Sequence, residues 1–405
     1  MHLRVEQAFF GRQERARAVA VDAAALEYDA VDSTLSEFRA QTILPGGRKV
    51  PVPEALVRDV VSFKTTQFED AWKAHTRLPH AHFLNSATAG LHLAVRLLKE
   101  RYGWQDGDEI ISTPLTFVSS NHAILYERLQ PVFADVDEYL CLDPASVAER
   151  ITPRTRAVIF VGLGGNTGRL DEIVRLCRER GLKLILDAAH MSGTRLHGRH
   201  VGAEGDVSVF SFHAVKNLPT ADAGMICFTD DEFDAAVRHW TWLGIDKDTY
   251  SRTMSDSTYK WYYQVEHVGF KYHGNSIMAG IALVSLKYLD ADNAYRRQLA
   301  AWYDEGLAAA DAIERVPVAP GCESARHLYQ VTVDRRDEVM VALNKAQIFP
   351  GVHYRDNASY AMYAGQPACP RARRASERVI SLPMHMQLEQ ADVKRICDVL
   401  KTVVR

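Results

Sequence analysis

Two residues, Lys216 and Asp187, have the types and the order needed for amine chemistry on a carbonyl. The segment VSVFSFHAVKNLPTADAGMICF, residues 207–228, reads as a strand, a polar loop with one lysine, and a second strand. A loop lysine is ordinarily a solvated charge. One that is partly desolvated becomes a nucleophile of the kind that forms Schiff bases. The segment LKLILDAAH, residues 182–190, ends a buried apolar run on Asp187, 29 residues before the lysine. An acid at a strand end and a lysine on a later loop are what pyridoxal 5'-phosphate (PLP) requires. The amine binds the cofactor's carbonyl carbon, and the carboxylate keeps its pyridine nitrogen protonated so that the ring draws in electrons.

The segments SFHAVKNLPT and LILDAAH resemble the lysine and pyridine-binding motifs of the DegT family of PLP-dependent sugar aminotransferases. The resemblance continues in order from about Phe83 to the C-terminus. It implies fold type I, with a large α/β domain whose mostly parallel sheet is flanked by helices, and a smaller C-terminal α+β domain. It also implies a transaminase that cycles PLP through pyridoxamine 5'-phosphate, with Lys216 as anchor and proton shuttle and Asp187 against the ring nitrogen. By the same resemblance Ala87 and Thr88 form the turn that holds the cofactor phosphate, and Ser211 binds that phosphate as well. Phe117 stacks on the ring, and His190 meets the phenolic oxygen. Lys271 stands where the family usually has an asparagine that reaches the phosphate from the partner subunit of a homodimer. His353 and Tyr354 match an HY pair at the pocket mouth, and Asn166 is a third substrate-side candidate.

Plain structural readings stand beside several of these assignments. Phe117 could be a core aromatic, His190 a satisfied buried histidine, Lys271 a surface charge, and the HY pair a strand-end packing pair. The turn at Ser86 could be only a helix N-cap, although free amides and a positive dipole end make such a turn an anion site too.

The chain also departs from the family. The usual HLYG turn is Gly162, Leu163, Gly164 and Gly165; the usual TGEGG run is Thr220, Ala221, Asp222, Ala223 and Gly224; and His273 replaces an arginine. Two lost side chains at Gly162 and Gly164 predict an enlarged or reshaped substrate wall. The acceptor is expected to be a keto sugar, nucleotide-linked in most of the family, with L-glutamate as donor. A keto sugar phosphate, a cyclitol or another natural-product intermediate is the alternative. A dehydratase, which in related proteins has histidine for lysine, and a non-catalytic regulator are disfavoured by Lys216 and Asp187 themselves. No arginine is assignable to the donor carboxylate; Arg48 and Arg355 are bare candidates.

These residues need elements to hold them. Residues 82–84 read as a strand before a helix in which Leu91, Ala94, Val95 and Leu98 recur at helical spacing and which Gly103 ends. Residues 108–137 read as strand, loop, helix and strand. A strand at 158–161 precedes a glycine-rich loop whose spacing does not fit a dinucleotide fingerprint. Residues 171–181 form an amphipathic helix. Strands alternating with helices imply a mostly parallel sheet, with ligands at the carboxyl ends of the strands. An N-terminal arm is expected over 1–50, including an alanine-rich helix at 12–26. A large domain is expected over 51–292, opened by a helix at 54–78, and a small domain over 293–405. Within the small domain FPGVHY is expected to be a strand and 371–374 a helix start. A long polar and aromatic excursion begins at Trp242.

The 405 residues are 47% hydrophobic and 24% charged, with a net charge of -3. That balance fits a globular enzyme and gives no reason to expect a nucleic-acid partner. Six cysteines without metal-like spacing fit reduced thiols in the cytoplasm. No apolar run is long enough to span a membrane, and no metal site is expected.

Overall fold

The computed structural model describes residues 64–245 and 263–404, with the backbone of two short paired strands, Thr42–Ile43 and Lys49–Val50. The helix expected at 12–26 and residues 246–262 of the long excursion lie outside the described residues.

Runs rich in valine, isoleucine and phenylalanine form seven strands: β1 His80–Leu84, β2 Glu109–Ser112, β3 Gln130–Phe133, β4 Thr155–Val161, β5 Lys183–Asp187, β6 Val207–Ser211 and β7 Gly224–Phe228. They make one sheet in the order β1-β7-β6-β5-β4-β2-β3. All neighbours are parallel except β7, which runs antiparallel to both β6 and β1. The sheet is buried on both faces, as a mostly parallel sheet must be. Alternate residues serve opposite layers: Val158 and Phe160 of β4 join one apolar cluster, while Ala157, Ile159 and Val161 join the other. The first cluster is covered by α1 Lys64–Thr76, through Phe68 and Trp72. The second is covered by α2 Ala87–Tyr102 and α3 Val118–Tyr126.

After β3 come α4 Pro144–Arg150 and α5 Leu170–Arg180. After β7 come α6 Asp231–Thr241, α7 Ser276–Leu286 and α8 Leu289–Gly306. Gly103 and Gly181 end α2 and α5 in the left-handed conformation that glycine adopts without strain.

The smaller unit is an antiparallel sheet of β8 Glu314–Arg315, β9 Tyr329–Thr332 and β10 Val379–Leu382, packed by α9 Arg336–Lys345 and α11 Gln390–Val404. α10 Pro370–Arg378 contains the basic cluster; Arg371 there pairs with Asp143, and its backbone N–H donates to Asp135 Oδ2 at 3.0 Å.

The boundary expected at 293 falls inside α8, whose Asn293 reaches the large domain and whose Tyr303 lies in the core of the small one. Residues 54–63 of the expected opening helix lie outside the described residues, and the described part is helical over Lys64–Thr76. FPGVHY is not a strand: only Gly351 bridges, exchanging both backbone hydrogen bonds with Ser381 at 2.9 and 2.8 Å, and the residue that this register sets opposite Phe349 is Pro383, which has no N–H to give. The chain beyond it is held instead by Gln330 Nε2, which donates to the His353 carbonyl at 2.9 Å.

Candidate active site

Asp187 is the last residue of β5, level with Val161 on β4 and Val209 on β6. It is 4% exposed, and burial holds its carboxyl above the ordinary range, opposed by Ser120, the Ala189 amide and Lys216. Ser120 Oγ donates to Asp187 Oδ2 at 2.6 Å, and the Ala189 N–H donates to Oδ1 at 3.2 Å. Because Ser120 spends its one hydrogen on the carboxylate, its 2.9 Å contact with Thr116 Oγ1 is a bond it accepts. A buried carboxylate held by neutral donors is ready for a cationic partner.

Lys216 sits on the loop joining β6 to β7. That loop is closed by Phe212 N–H to Ala223 O at 2.9 Å and Thr220 N–H to Phe212 O at 2.8 Å, and it is anchored by buried Leu218. Lys216 is half-buried, and burial pushes its amine down to about 8 even though the Asp187 charge pulls it up. At neutral pH a usable fraction of the amine is free of its proton.

The register Ser211↔Gly224↔Leu84 lines up the ends of β6, β7 and β1 beside the first turn of α2. A Cβ at position 224 would lie 2.6 Å from the Ala87 nitrogen, so glycine is what lets β7 start against this turn. Ser86 caps α2 by accepting from the Ala89 N–H at 3.1 Å. Ala87 and Thr88 are the first helical residues, whose amides have no acceptor within the helix. Ser211 ends β6 on the same rim.

Phe117 is 57% exposed at the start of α3, with its ring 5.9 Å from that of Tyr354. Its loop is fixed by Asn357, whose Nδ2 donates to the Thr116 carbonyl at 2.8 Å and whose Oδ1 accepts from Asn121 at 3.1 Å. His190 is buried; its Nδ1 accepts from the Gly164 N–H at 3.2 Å, and its Nε2 lies 3.2 Å from the Tyr354 hydroxyl. His353 Nδ1 is 2.9 Å from Ser381 Oγ, and burial with the nearby Lys216 pushes the imidazole down to about 4.

Lys216, Asp187, His190, His353 and Tyr354 therefore converge. The α2 turn and Ser211 lie on the rim beside the lysine loop. Lys271 is bridged to Trp242, its ammonium 3.1 Å from the centre of the Trp242 ring, and its carbonyl accepts from Asn85 Nδ2 at 3.2 Å. The Asn166 side chain is held by backbone groups. Its Nδ2 donates to Pro317 O at 2.8 Å, and its Oδ1 accepts from the N–H groups of Ala319 at 3.1 Å and Gly168 at 3.2 Å. The substrate wall is also not enlarged at position 162, where a Cβ would fall 2.0 Å from Met191 Sδ: the methionine occupies that space. Sequence reasoning missed Ser120 and Met191. The hydroxyls of Thr116 and Ser120, four apart across a helix start, were a usable signal for Ser120.

The DegT/DnrJ/EryC1/StrS aminotransferase family model matches residues 61–401. The chain belongs to this family. Among relatives, it is 32% identical over 355 residues to the spore coat polysaccharide biosynthesis protein SpsC of Bacillus subtilis, covering 84% of this chain and 90% of SpsC. Among solved structures, the aminotransferase TlmJ from Streptoalloteichus hindustanus is 32% identical, with a TM-score of 0.77 over 84% of this chain and 90% of that one. DesI, solved in the presence of its TDP-sugar product, is 28% identical, with a TM-score of 0.76 over 93% and 89%. This DegT-family member is thus a sugar aminotransferase of PLP fold type I, and its cofactor is PLP. The residues present fit that cofactor: a buried carboxylate lacking a full cationic partner, a lysine with a depressed amine, and a helix start kept open by Gly224. Among the described residues no helix is long and apolar enough to cross a membrane, and no cluster of side chains could hold a metal.

Proposed function

We propose that this enzyme transfers the amino group of L-glutamate to a keto group on a nucleotide-linked sugar. The observation that carries this reading is the depressed Lys216 amine beside buried Asp187, in a family frame whose member DesI has a TDP-sugar product. When bound, PLP supplies an electron-withdrawing ring that stabilises negative charge on the carbon losing a proton. With PLP bound, Asp187, oriented by Ser120, would hold the ring nitrogen. Ala87, Thr88 and Ser211 would hold the phosphate with amides and a hydroxyl. Phe117 would cover a ring face, and His190 would meet the phenolic oxygen. Lys216 would anchor the cofactor, and its Nζ would be the group that takes and returns the donor's α-proton.

The donor carboxylate is assigned to a cleft of about 660 Å³ that opens beside the lysine loop. Val215, His327, His353, Arg296 and Arg395 are among the residues that line it. His353 and Tyr354 flank the acceptor.

We further propose that the working unit is a homodimer, with Lys271 reaching the partner's phosphate. Support comes from an apolar surface next to it: Val268 is 88% exposed, and Ile277 and Ile281 on α7 are 62% and 43% exposed. Exposed apolar side chains of this kind mark association surfaces. A cytoplasmic setting is in keeping with six free cysteines, five of them buried.

The test is a two-stage assay. PLP-loaded enzyme is first exhausted with L-glutamate, the product 2-oxoglutarate is counted, and a keto sugar nucleotide is then added. Stoichiometric 2-oxoglutarate followed by an amino sugar nucleotide supports the reading. An amino product only from a sugar phosphate or cyclitol would move the acceptor to that class.

A further inference from the structure

Behind Lys216 lies a buried polar chain that the chemistry above does not use. Asn217, the next residue, donates through Nδ2 to Asn293 Oδ1 at 2.7 Å and to the Ala325 carbonyl at 2.8 Å. Both partners are acceptors, so the amide orientation is fixed. Its Oδ1 must then accept from His327 Nδ1, 2.9 Å away, which puts the ring hydrogen on Nδ1. Asn293 Nδ2 passes the connection to the Ser192 carbonyl at 2.9 Å, and the Ala325 N–H donates to Thr194 Oγ1 at 3.1 Å. Asn217, Asn293 and His327 are all buried.

His327 packs against His190 with ring centres 4.3 Å apart and planes inclined by 44°. Burial and the neighbouring His190, Lys216, Arg296 and His353 keep it uncharged. His190 has the opposite tautomer: its Nδ1 accepts from Gly164, so Nε2 carries the hydrogen and donates to Tyr354. Two neutral imidazoles of opposite tautomer thus lie in contact, their planes inclined by 44°, one tied to the residue after the lysine and the other to the aspartate segment. The tie spans the large domain, α8 and the approach to β9.

We propose that His327 is a positioning residue for the transamination: through its Nδ1–H bond to Asn217 it sets the Lys216 backbone, and through its ring it holds His190 in place. This rests on the assignment of Lys216 as the working amine. Removing the donor leaves Asn217 Oδ1 buried without a partner, which frees the lysine loop to shift. A displacement of that kind lowers turnover more than it weakens substrate binding.

The test compares His327→Phe, which keeps a ring but has no donor, with His327→Gln, which restores an N–H but has no ring. The PLP-loaded enzyme is used, with kcat and KM for L-glutamate and the pH midpoint of PLP capture by cofactor-free protein as readouts. The expected result is a kcat lower by about tenfold or more in the Phe variant with KM nearly unchanged, a shifted capture midpoint, and substantial rescue in the Gln variant. Asn217→Asp, which turns two donors into acceptors facing acceptors, is expected to reproduce the shift and serves if the Phe variant does not fold. Wild-type kcat and midpoint in the folded His327→Phe or Asn217→Asp variant would overturn the proposal, as would equal impairment of the Phe and Gln variants. If wild-type enzyme itself fails to react with glutamate while capturing PLP normally, the donor reading fails; the capture midpoints of the variants still decide the role of His327.

Discussion

Ser120 Oγ donates a 2.6 Å hydrogen bond to Asp187 Oδ2, joining the first turn of α3 to the end of β5. With the Ala189 N–H on Oδ1, the bond fixes the plane of the carboxylate. Ser120→Ala leaves the buried carboxylate short of a donor, a loss of about 1–3 kcal/mol. PLP affinity and kcat are each expected to fall by about tenfold, and Ser120→Thr to recover most of the loss. Spectroscopic titration of cofactor-free protein with PLP, together with steady-state kinetics, checks this.

The pH dependence of cofactor capture follows from Lys216. Its amine, pushed down to about 8, is the reactive species only when deprotonated, so the capture rate should rise with pH and level off above about 8 rather than above 10. Asp187 raises this value by its charge. Asp187→Asn should therefore move the midpoint lower while abolishing turnover, because a neutral amide cannot hold the ring nitrogen protonated. Stopped-flow capture rates from pH 6 to 10 decide both points.

Met191 and Gly162 make a second pair. Gly162→Ala would force a Cβ onto Met191 Sδ, and overpacking of this kind costs about 1–3 kcal/mol. Met191→Ala in the same chain should recover the stability and open the wall that the glycine alone leaves filled. Denaturant unfolding of the single and double variants measures the first effect, and the KM for the acceptor measures the second.

If α7 packs on a second copy, Ile281→Glu should yield monomers in sedimentation velocity with little residual activity. Lys271→Ala should leave the dimer intact and weaken PLP binding by about tenfold, the share of one charge-assisted contact. A fully active Ile281→Glu monomer would contradict the shared site.

Much of the frame was legible locally. Asp187 closes an apolar run, Lys216 sits between two strands, and Ser86 precedes a helical repeat, so each signal lies within a few residues of its element. What was not legible came from contacts across long separations: Ser120 with Asp187, Asn217 with His327, and Met191 filling the space at Gly162. Asn166 shows the same limit from the other side. A polar residue in a glycine-rich loop looks available, but segment 317–319 takes its hydrogen bonds from 151 residues or more away. FPGVHY pairs only at Gly351 because the register sets Pro383, which has no N–H, opposite Phe349, again a relation that lies outside the segment itself.

The most direct test of the central claim is a single-turnover measurement on PLP-loaded protein mixed with excess L-glutamate, wild type against Lys216→Ala. If Lys216 moves the proton, the visible absorbance of the bound cofactor will bleach within the dead time of turnover in the wild type and persist in the variant. Bleaching of the Lys216→Ala protein at the wild-type rate would contradict the account.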